Sequence, residues 1–458
     1  MGVEAGLDGG SERVRISPAE LQAIIGKHTA FLRRMPGGVR ANLKLRDLSH
    51  LDLSGFDLSD ADLSGAKLFS TRLTGAVLTG ANLYAADLRL AQMERADLRR
   101  ADMRGACLRG AVLSEAVLVE SDLRDGTIMH VRKNGDIAMH EFEAVPVHSE
   151  LSVATVRAAD LSRARVSNAF VIQTDLTDAV MRGTKFVRAN LSNSNLTGCD
   201  LQGADLREAN LSGAKLSGAV LTGAELNQTR FTNTIMLGVI MDEMTRRSAN
   251  LDDAILARTP DEIGLDVAGA LASHAAWVDS GGKEGARADF SGLDLSGYDL
   301  SGSNLSAALL HCACLGKASL AGASLAMADL SLADLRGADL TGADLRGATL
   351  ERATATGAVL RQAEIGPVHI QSSSGRLWSA NLTRIRLDEA DLTGADLRRC
   401  VMIQSVLTGA TLTDARLQDA KLAGSDLSEA SFVGADLTGA DLTDVRAVTA
   451  LGLAPGRV

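Results

Sequence analysis

From Ala41 onward the apolar residues return every five positions. In Ala61-Asp62-Leu63-Ser64-Gly65, Ala96-Asp97-Leu98-Arg99-Arg100 and Ala101-Asp102-Met103-Arg104-Gly105, positions one and three are apolar, and the other three are polar, charged or glycine. Such units run through residues 41–125, 159–243, 288–362 and 380–444. A helix repeats its apolar face every 3.6 residues and a flat strand every two, so neither explains this spacing. It predicts a narrow solenoid with positions one and three inside. The small first residue lets the walls approach, and the leucine fills the tube with roughly 1.5–3 kcal/mol of transfer free energy each. If a coil takes four units, residues twenty apart should stack at about 4.8 Å. Asn42, Asp62, Asn82, Asp102 and Asp122 then form an outer column, and Leu43, Leu63, Leu83, Met103 and Leu123 form an inner one.

The pattern is interrupted in a regular way. Residues 1–16 are polar and Gly-rich, and read as a disordered leader. Ser17-Pro18-Ala19-Glu20 then opens a helix over about residues 17–36, with Ser as N-cap and Glu closing a capping box. Its apolar face is Leu21, Ile24, Ile25, His28, Phe31 and Leu32. Thr259-Pro260-Asp261-Glu262 repeats the arrangement before Ile263, Val267, Leu271, His274 and Trp277. Each helix is expected to cover the open end of the solenoid that follows it. The first solenoid, residues 41–243, breaks at about 126–150, where Asn134-Gly135 between extended runs signals a hairpin and places His130 opposite Met139. The second, residues 288–444, breaks at about 366–379 around a turn at residues 372–375. Residues 244–287 link the halves, and 445–458 form a tail. The chain thus reads as two duplicated units, each with an N-terminal capping helix and an inserted hairpin.

The repeat A-[D/N]-L-x-x resembles that of the pentapeptide-repeat family, over about two thirds of the chain. The resemblance implies an all-β solenoid: a right-handed quadrilateral β-helix with four pentapeptides to a coil. Its best understood members are DNA mimics that bind and protect type II topoisomerases; others are secreted effectors or scaffolds. Family membership fixes the shape and leaves the activity open.

Composition agrees with a thin tube. Aromatic residues make up only 3% of the 458, and 45 glycines accompany six prolines. The five cysteines (Cys107, Cys199, Cys312, Cys314 and Cys400) lack framework spacing and point to a reducing compartment. No leader of signal-peptide type and no run of membrane-spanning length is visible, so a cytoplasmic location is expected, without membrane association. Chemistry is sparse. His311-Cys312-Ala313-Cys314 offers metal-type ligands, but the two cysteines fall at outward positions without a second cluster, so no metal or cofactor is expected. Gly26-Lys27 lacks the remainder of a phosphate loop. The repeat supplies carboxylates everywhere, and no nucleophile stands with a base. A non-enzyme is expected.

Charge separates the remaining functions. The net charge is −10, yet residues 251–300 alone carry ten acidic against three basic side chains, net −7. Residues 151–250 sum to +2, and Asp102 and Asp122 are each followed two residues on by arginine. A DNA mimic needs a dense acidic surface, which this mixed wall does not present. The expectation is a protein-interaction scaffold without direct nucleic-acid binding. Its candidate contacts are the hairpin tips, Arg132, Lys133, Asn134 and Gly135 in one half and Ser373, Ser374, Gly375 and Arg376 in the other. The alternative is a partner of DNA gyrase or topoisomerase IV. An effector delivered to another cell is a third reading. An uncovered solenoid end is a candidate homodimer contact.

Overall fold

The backbone accounts for the five-residue unit. In a computed structural model describing residues 14–124, 129–131, 137–139, 151–369 and 377–453, each position sends its N–H to a set place. Position one donates within the turn, as Ala66 N to Leu63 O at 3.0 Å. Position two donates to the preceding coil (Asp62 N to Ala41 O, 3.0 Å). Positions three and five donate to the following coil (Leu63 N to Asn82 O, 2.8 Å; Gly65 N to Tyr84 O, 2.7 Å). Only position four lacks a carbonyl, and the position-two side chain supplies the acceptor: Ser64 N donates to Asp62 Oδ1 at 3.0 Å. Asparagine does the same at Asn82 for Tyr84 N (3.1 Å) and at Asn381 for Thr383 N (3.1 Å). The need to pair a fifth amide explains the Asp/Asn preference.

Parallel bridges connect Asn42, Asp62, Asn82, Asp102 and Asp122 in succession, with three further columns beside them, so a coil has four sides. The first- and third-position side chains line the interior: Ala61, Leu63, Ala81 and Leu83 are at most 1% exposed. Where Ser or Thr replaces the inward Ala, its hydroxyl donates to a backbone carbonyl, of the preceding coil for Thr184 Oγ1 to Leu161 O (2.7 Å) and Ser405 Oγ to Leu382 O (2.8 Å), and of its own turn for Ser121 Oγ to Leu118 O (2.8 Å). Position five turns the corner at positive φ, for example Asp60 (59°), Gly65 (61°) and Gly75 (64°).

The chain divides into two compact units, Met1–Ile235 with Ile240–Ile255, and Met236–Val239 with Leu256–Val458. In the first, Arg15 bridges Asp47, followed by α1 (Pro18–Leu32). Ser17 Oγ accepts from Glu20 N at 3.2 Å, but the Glu20 carboxylate turns to Arg46 (3.3 Å), so only half of the capping box forms. Leu21, Ile25 and His28 are buried, whereas Phe31 is 39% exposed. The bridge spacing then lengthens from twenty residues to the separation of Val112 and Thr155, which accommodates β1 (Met129–Val131) and β2 (Ile137–Met139). These strands are antiparallel with His130 opposite Ala138, not Met139. The register is one residue away from the one that a two-residue turn at Asn134-Gly135 would set. Near the end of the unit, before Ile255 bridges Ile235, comes α2 (Glu243–Ser248), unanticipated from the sequence. Its N-cap Asp242 accepts from Thr245 N (2.8 Å) and from the edge amide Gly223 N (2.6 Å).

In the second unit Arg258 bridges Leu293. Thr259 and Glu262 form the complete capping box (2.9 and 3.3 Å), but it closes only a 3₁₀ turn, Asp261–Ile263. Gly264 at φ 67° ends that turn, and α3 (Val267–Asp279) begins beyond it. The helix expected from Thr259 is therefore shorter, and Ile263 is 39% exposed. After coils of twenty residues, the separation of Thr349 and Asn381 makes room for β3 (Val368–His369) and β4 (Leu377–Trp378), paired antiparallel with Val368 opposite Trp378. The coil path continues beyond Asp444, with Leu451 bridging Ser431.

Leu392→Ala removes a fully buried inward side chain and should cost about 2–5 kcal/mol, whereas outward Thr341→Ala should cost under about 1 kcal/mol; equal costs in denaturant unfolding would contradict the inside–outside assignment. At the corners, Gly75→Ala meets no atom, while a Cβ on Gly65 would lie 2.6 Å from Leu45 Cδ2. Both should lose about 1–2 kcal/mol for the left-handed backbone, with the larger loss at Gly65.

Candidate functional site

The outer walls carry most of the available side-chain chemistry, and their carboxylates are engaged locally. Where Arg occupies position four, its guanidinium reaches back to the position-two carboxylate with two bonds. Distances are 2.8 and 2.6 Å in Arg104–Asp102, 2.9 and 2.7 Å in Arg207–Asp205, and 2.8 and 2.6 Å in Arg398–Asp396. The same carboxylate also accepts the turn amide. The Arg207 side-chain bond holds the Asp205 carboxyl below its usual range, and Arg99 does so for Asp97. Where Ser or Thr stands at position four its hydroxyl joins in, as Ser301 Oγ to Asp299 (2.6 Å) and Thr341 Oγ1 to Asp339 (2.6 Å). These arginine pairs are partly exposed and individually worth little, but they intersperse positive charge through each acidic column.

In the first unit an aromatic patch interrupts this pattern. Phe69 packs edge-on against His50 (5.5 Å) and beneath Arg89 (5.7 Å), and Tyr84 lies under Arg104 (5.6 Å). A shallow cleft of about 550 Å³ is lined by Arg188, Asn190, Glu208, Asn210, Gln228 and Arg230.

The hairpin-tip candidates Arg132, Lys133, Asn134, Gly135, Ser373, Ser374, Gly375 and Arg376 lie outside the described residues. The root of the second hairpin is described, and it presents Leu377 and Trp378 at 37% and 48% exposure. Val368 and Trp378 rest on Gly347, where a Cβ would come within 2.8 Å of Val368 Cγ1. Beside this root lies a groove of about 680 Å³ bounded by Pro367, Leu377, Arg346, Arg398, Arg399 and Arg416, with Glu364, Asp396 and Asp419 among them. Arg416 reaches Asp396 at 3.0 Å, Arg399 reaches Asp419 at 3.3 Å, and Arg346 reaches Glu364 at 3.3 Å, so the groove is mixed in sign. Sequence reasoning missed it, because its walls come from separate coils and meet only once the register is known.

The cysteines do not converge on a site. Cys199 and Cys400 occupy inward first positions, where burial raises their thiols far above the usual value. Burial likewise pushes Cys314 up to about 12. Cys312 is 1% exposed, contrary to the outward placement expected for it. Gly238, which packs with the same unit, covers it; a Cβ there would lie 3.3 Å from the Cys312 carbonyl. Among the described residues no three His, Cys, Asp or Glu side chains are placed to hold a metal. No helix among them is long and apolar enough to cross a membrane.

The family model for pentapeptide repeats matches residues 41–80, 76–114, 159–198, 199–236, 288–326, 313–352, 328–364, 380–419 and 410–446. No curated protein matches the chain in sequence. Among solved structures, HetL of Nostoc sp. strain PCC 7120, a pentapeptide repeat protein involved in heterocyst differentiation regulation, is 24% identical over 73% of this chain and 86% of its own, with a TM-score of 0.20. Full-length QnrB1, a plasmid-mediated fluoroquinolone resistance protein, is 21% identical over 44% of this chain and 96% of its own (TM-score 0.30). Rfr23 of the cyanobacterium Cyanothece 51142 is 26% identical over 28% and 88% respectively (TM-score 0.17). With repeats matched over more than half its length, the chain belongs to the pentapeptide-repeat family, whose fold is a right-handed quadrilateral β-helix.

Proposed function

We propose that this protein is a non-catalytic, cytoplasmic protein-interaction scaffold built from two copies of one design, each a solenoid with a helix capping its first coil. The observation that carries this reading is the engagement of the outer carboxylates by their own turns and by position-four arginines, as at Asp205 with Arg207 and Asp396 with Arg398. Side chains so anchored form a fixed, sign-alternating surface at the coil spacing. Such a surface suits broad complementary contact with a folded protein. It suits competition with DNA for a basic groove poorly, since that requires uncompensated negative charge. The two hairpins are the proposed anchors, with Leu377 and Trp378 supplying apolar area at the root of the second. The exposed Val448 and Leu451 of the last described coil, at 55% and 61%, support self-association at that end as a secondary contact.

Affinity capture of the intact protein from its native lysate, followed by mass spectrometry with and without added duplex DNA, tests this reading. The scaffold predicts captured protein partners whose recovery is insensitive to DNA. Enrichment of gyrase or topoisomerase IV subunits that added DNA displaces would replace it with topoisomerase binding. Deleting residues 131–138 should leave the solenoid's melting in place and reduce capture at least about fivefold, a loss of roughly 1 kcal/mol; undiminished capture removes the first hairpin as an anchor.

A further inference from the structure

Two buried histidines play no part in the scaffold surface, and their settings match. His28 on α1 and His274 on α3 are both 0% exposed. Each accepts at Nδ1 from the backbone N–H of the first inward alanine of its unit, Ala41 at 3.1 Å and Ala288 at 3.0 Å. Later in each solenoid that amide donates to a carbonyl three residues back, as Ala66 does to Leu63. The first coil follows no such turn, and the imidazole stands in for it. An accepting Nδ1 places the ring proton on Nε2. Nε2 is buried without a hydrogen-bond partner in either unit, and the backbone of Ser59 or Ser306 acts on the ring. Each ring stacks on an aromatic neighbour of its own helix, His28 on Phe31 (5.9 Å, 15°) and His274 on Trp277 (5.5 Å, 15°).

We infer that His28 and His274 are proton-operated latches: protonation of either ring releases its helix from the first coil of its own unit. A second ring proton would sit on Nδ1, directly opposite the N–H of Ala41 or Ala288, so that two donors face each other in a buried site. The imidazolium would also be a buried charge without a bonded counter-ion. The charged groups acting on His28 are Asp57 and Asp60 of the first coil and Arg40 of the entry segment; on His274 it is Arg287. Burial prevails at both rings and lowers their pKa from the ordinary 6.5. A depressed histidine favours the closed state above about pH 6.5, and this stabilisation is lost as pH falls through the folded-state value. One such group changes the closed-to-open ratio by at most about tenfold per pH unit. Asp57, the Ser59 backbone and Asp60 oppose the depression at His28, and the Ser306 backbone does so at His274.

Hydrogen exchange of the full chain at about pH 7.5 and about pH 5, corrected for intrinsic rates, reads the latch directly. Residues 18–41 and 267–288 should lose about tenfold or more of their protection at the lower pH, while amides of the mid-solenoid coils keep theirs. His28→Gln and His274→Gln supply an accepting amide that does not titrate, and each should flatten the response in its own unit only. Protection that does not change with pH, or an equal loss in the glutamine variants, overturns the proposal. Should a glutamine variant misfold, Trp277 fluorescence in a Trp378→Phe background provides the second reading. A titration midpoint below about 6.5, accompanied by lost protection over 267–288, is expected. A midpoint at or above that value, or no titration before global unfolding, refutes it.

Discussion

The backbone ladder between coils is the interaction on which everything else here depends. Each unit donates one amide to the coil before it and two to the coil after it, as Asp62, Leu63 and Gly65 do. A fourth closes the local turn. The fifth is left for a side chain, and the pentapeptide pattern is the residue preference that results: small, then Asx, then Leu, with a corner that tolerates positive φ. Apolar burial fills the tube, but the ladder sets the register, and the register places every outer side chain. The acidic columns look like a charge display in the sequence. In the fold they are first an accessory to backbone pairing, since Asp62 Oδ1 takes Ser64 N as Asn82 Oδ1 takes Tyr84 N.

A ladder has ends, and the chain gives its ends individual treatment. Arg15 and Arg258 begin the first and second units with one bridge before the helix arrives. His28 and His274 then accept the first alanine amide of each. Asp242 accepts the Gly223 amide near the far end of the first unit. These groups differ chemically, but each supplies what an absent neighbouring coil would have supplied.

The solenoid was legible because its signal is periodic and local. The columns through Asn42 and Leu43 follow from counting, and the interruptions near residues 126 and 366 stand out as loss of the count. What the sequence did not disclose depends on geometry between coils or on a single residue. Gly264 at positive φ stops the turn that Thr259 caps, and so delays α3 to Val267. A one-residue difference in hairpin register moves His130 from Met139 to Ala138. Cys312 looks outward by its place in the repeat, yet packing against Gly238 buries it. The groove beside Leu377 draws on Arg346, Arg398 and Arg416, which no local pattern associates. Of the candidate site, the sequence indicated the hairpins but not the groove at the root of the second.

The central claim is that position-two carboxylates serve the turn before they serve as charge. Replacing Asp299, Asp339 and Asp441 together by Asn tests it most directly, because all three accept both the amide and the hydroxyl of the Ser or Thr two residues on. The account predicts retained folding with little loss in denaturant unfolding, since the asparagine oxygen accepts the same amide. Replacement of the same three by Leu, which accepts nothing, should cost more. Equal losses in the Asn and Leu variants would show that the carboxylate charge, and not its acceptor role, holds the wall in place.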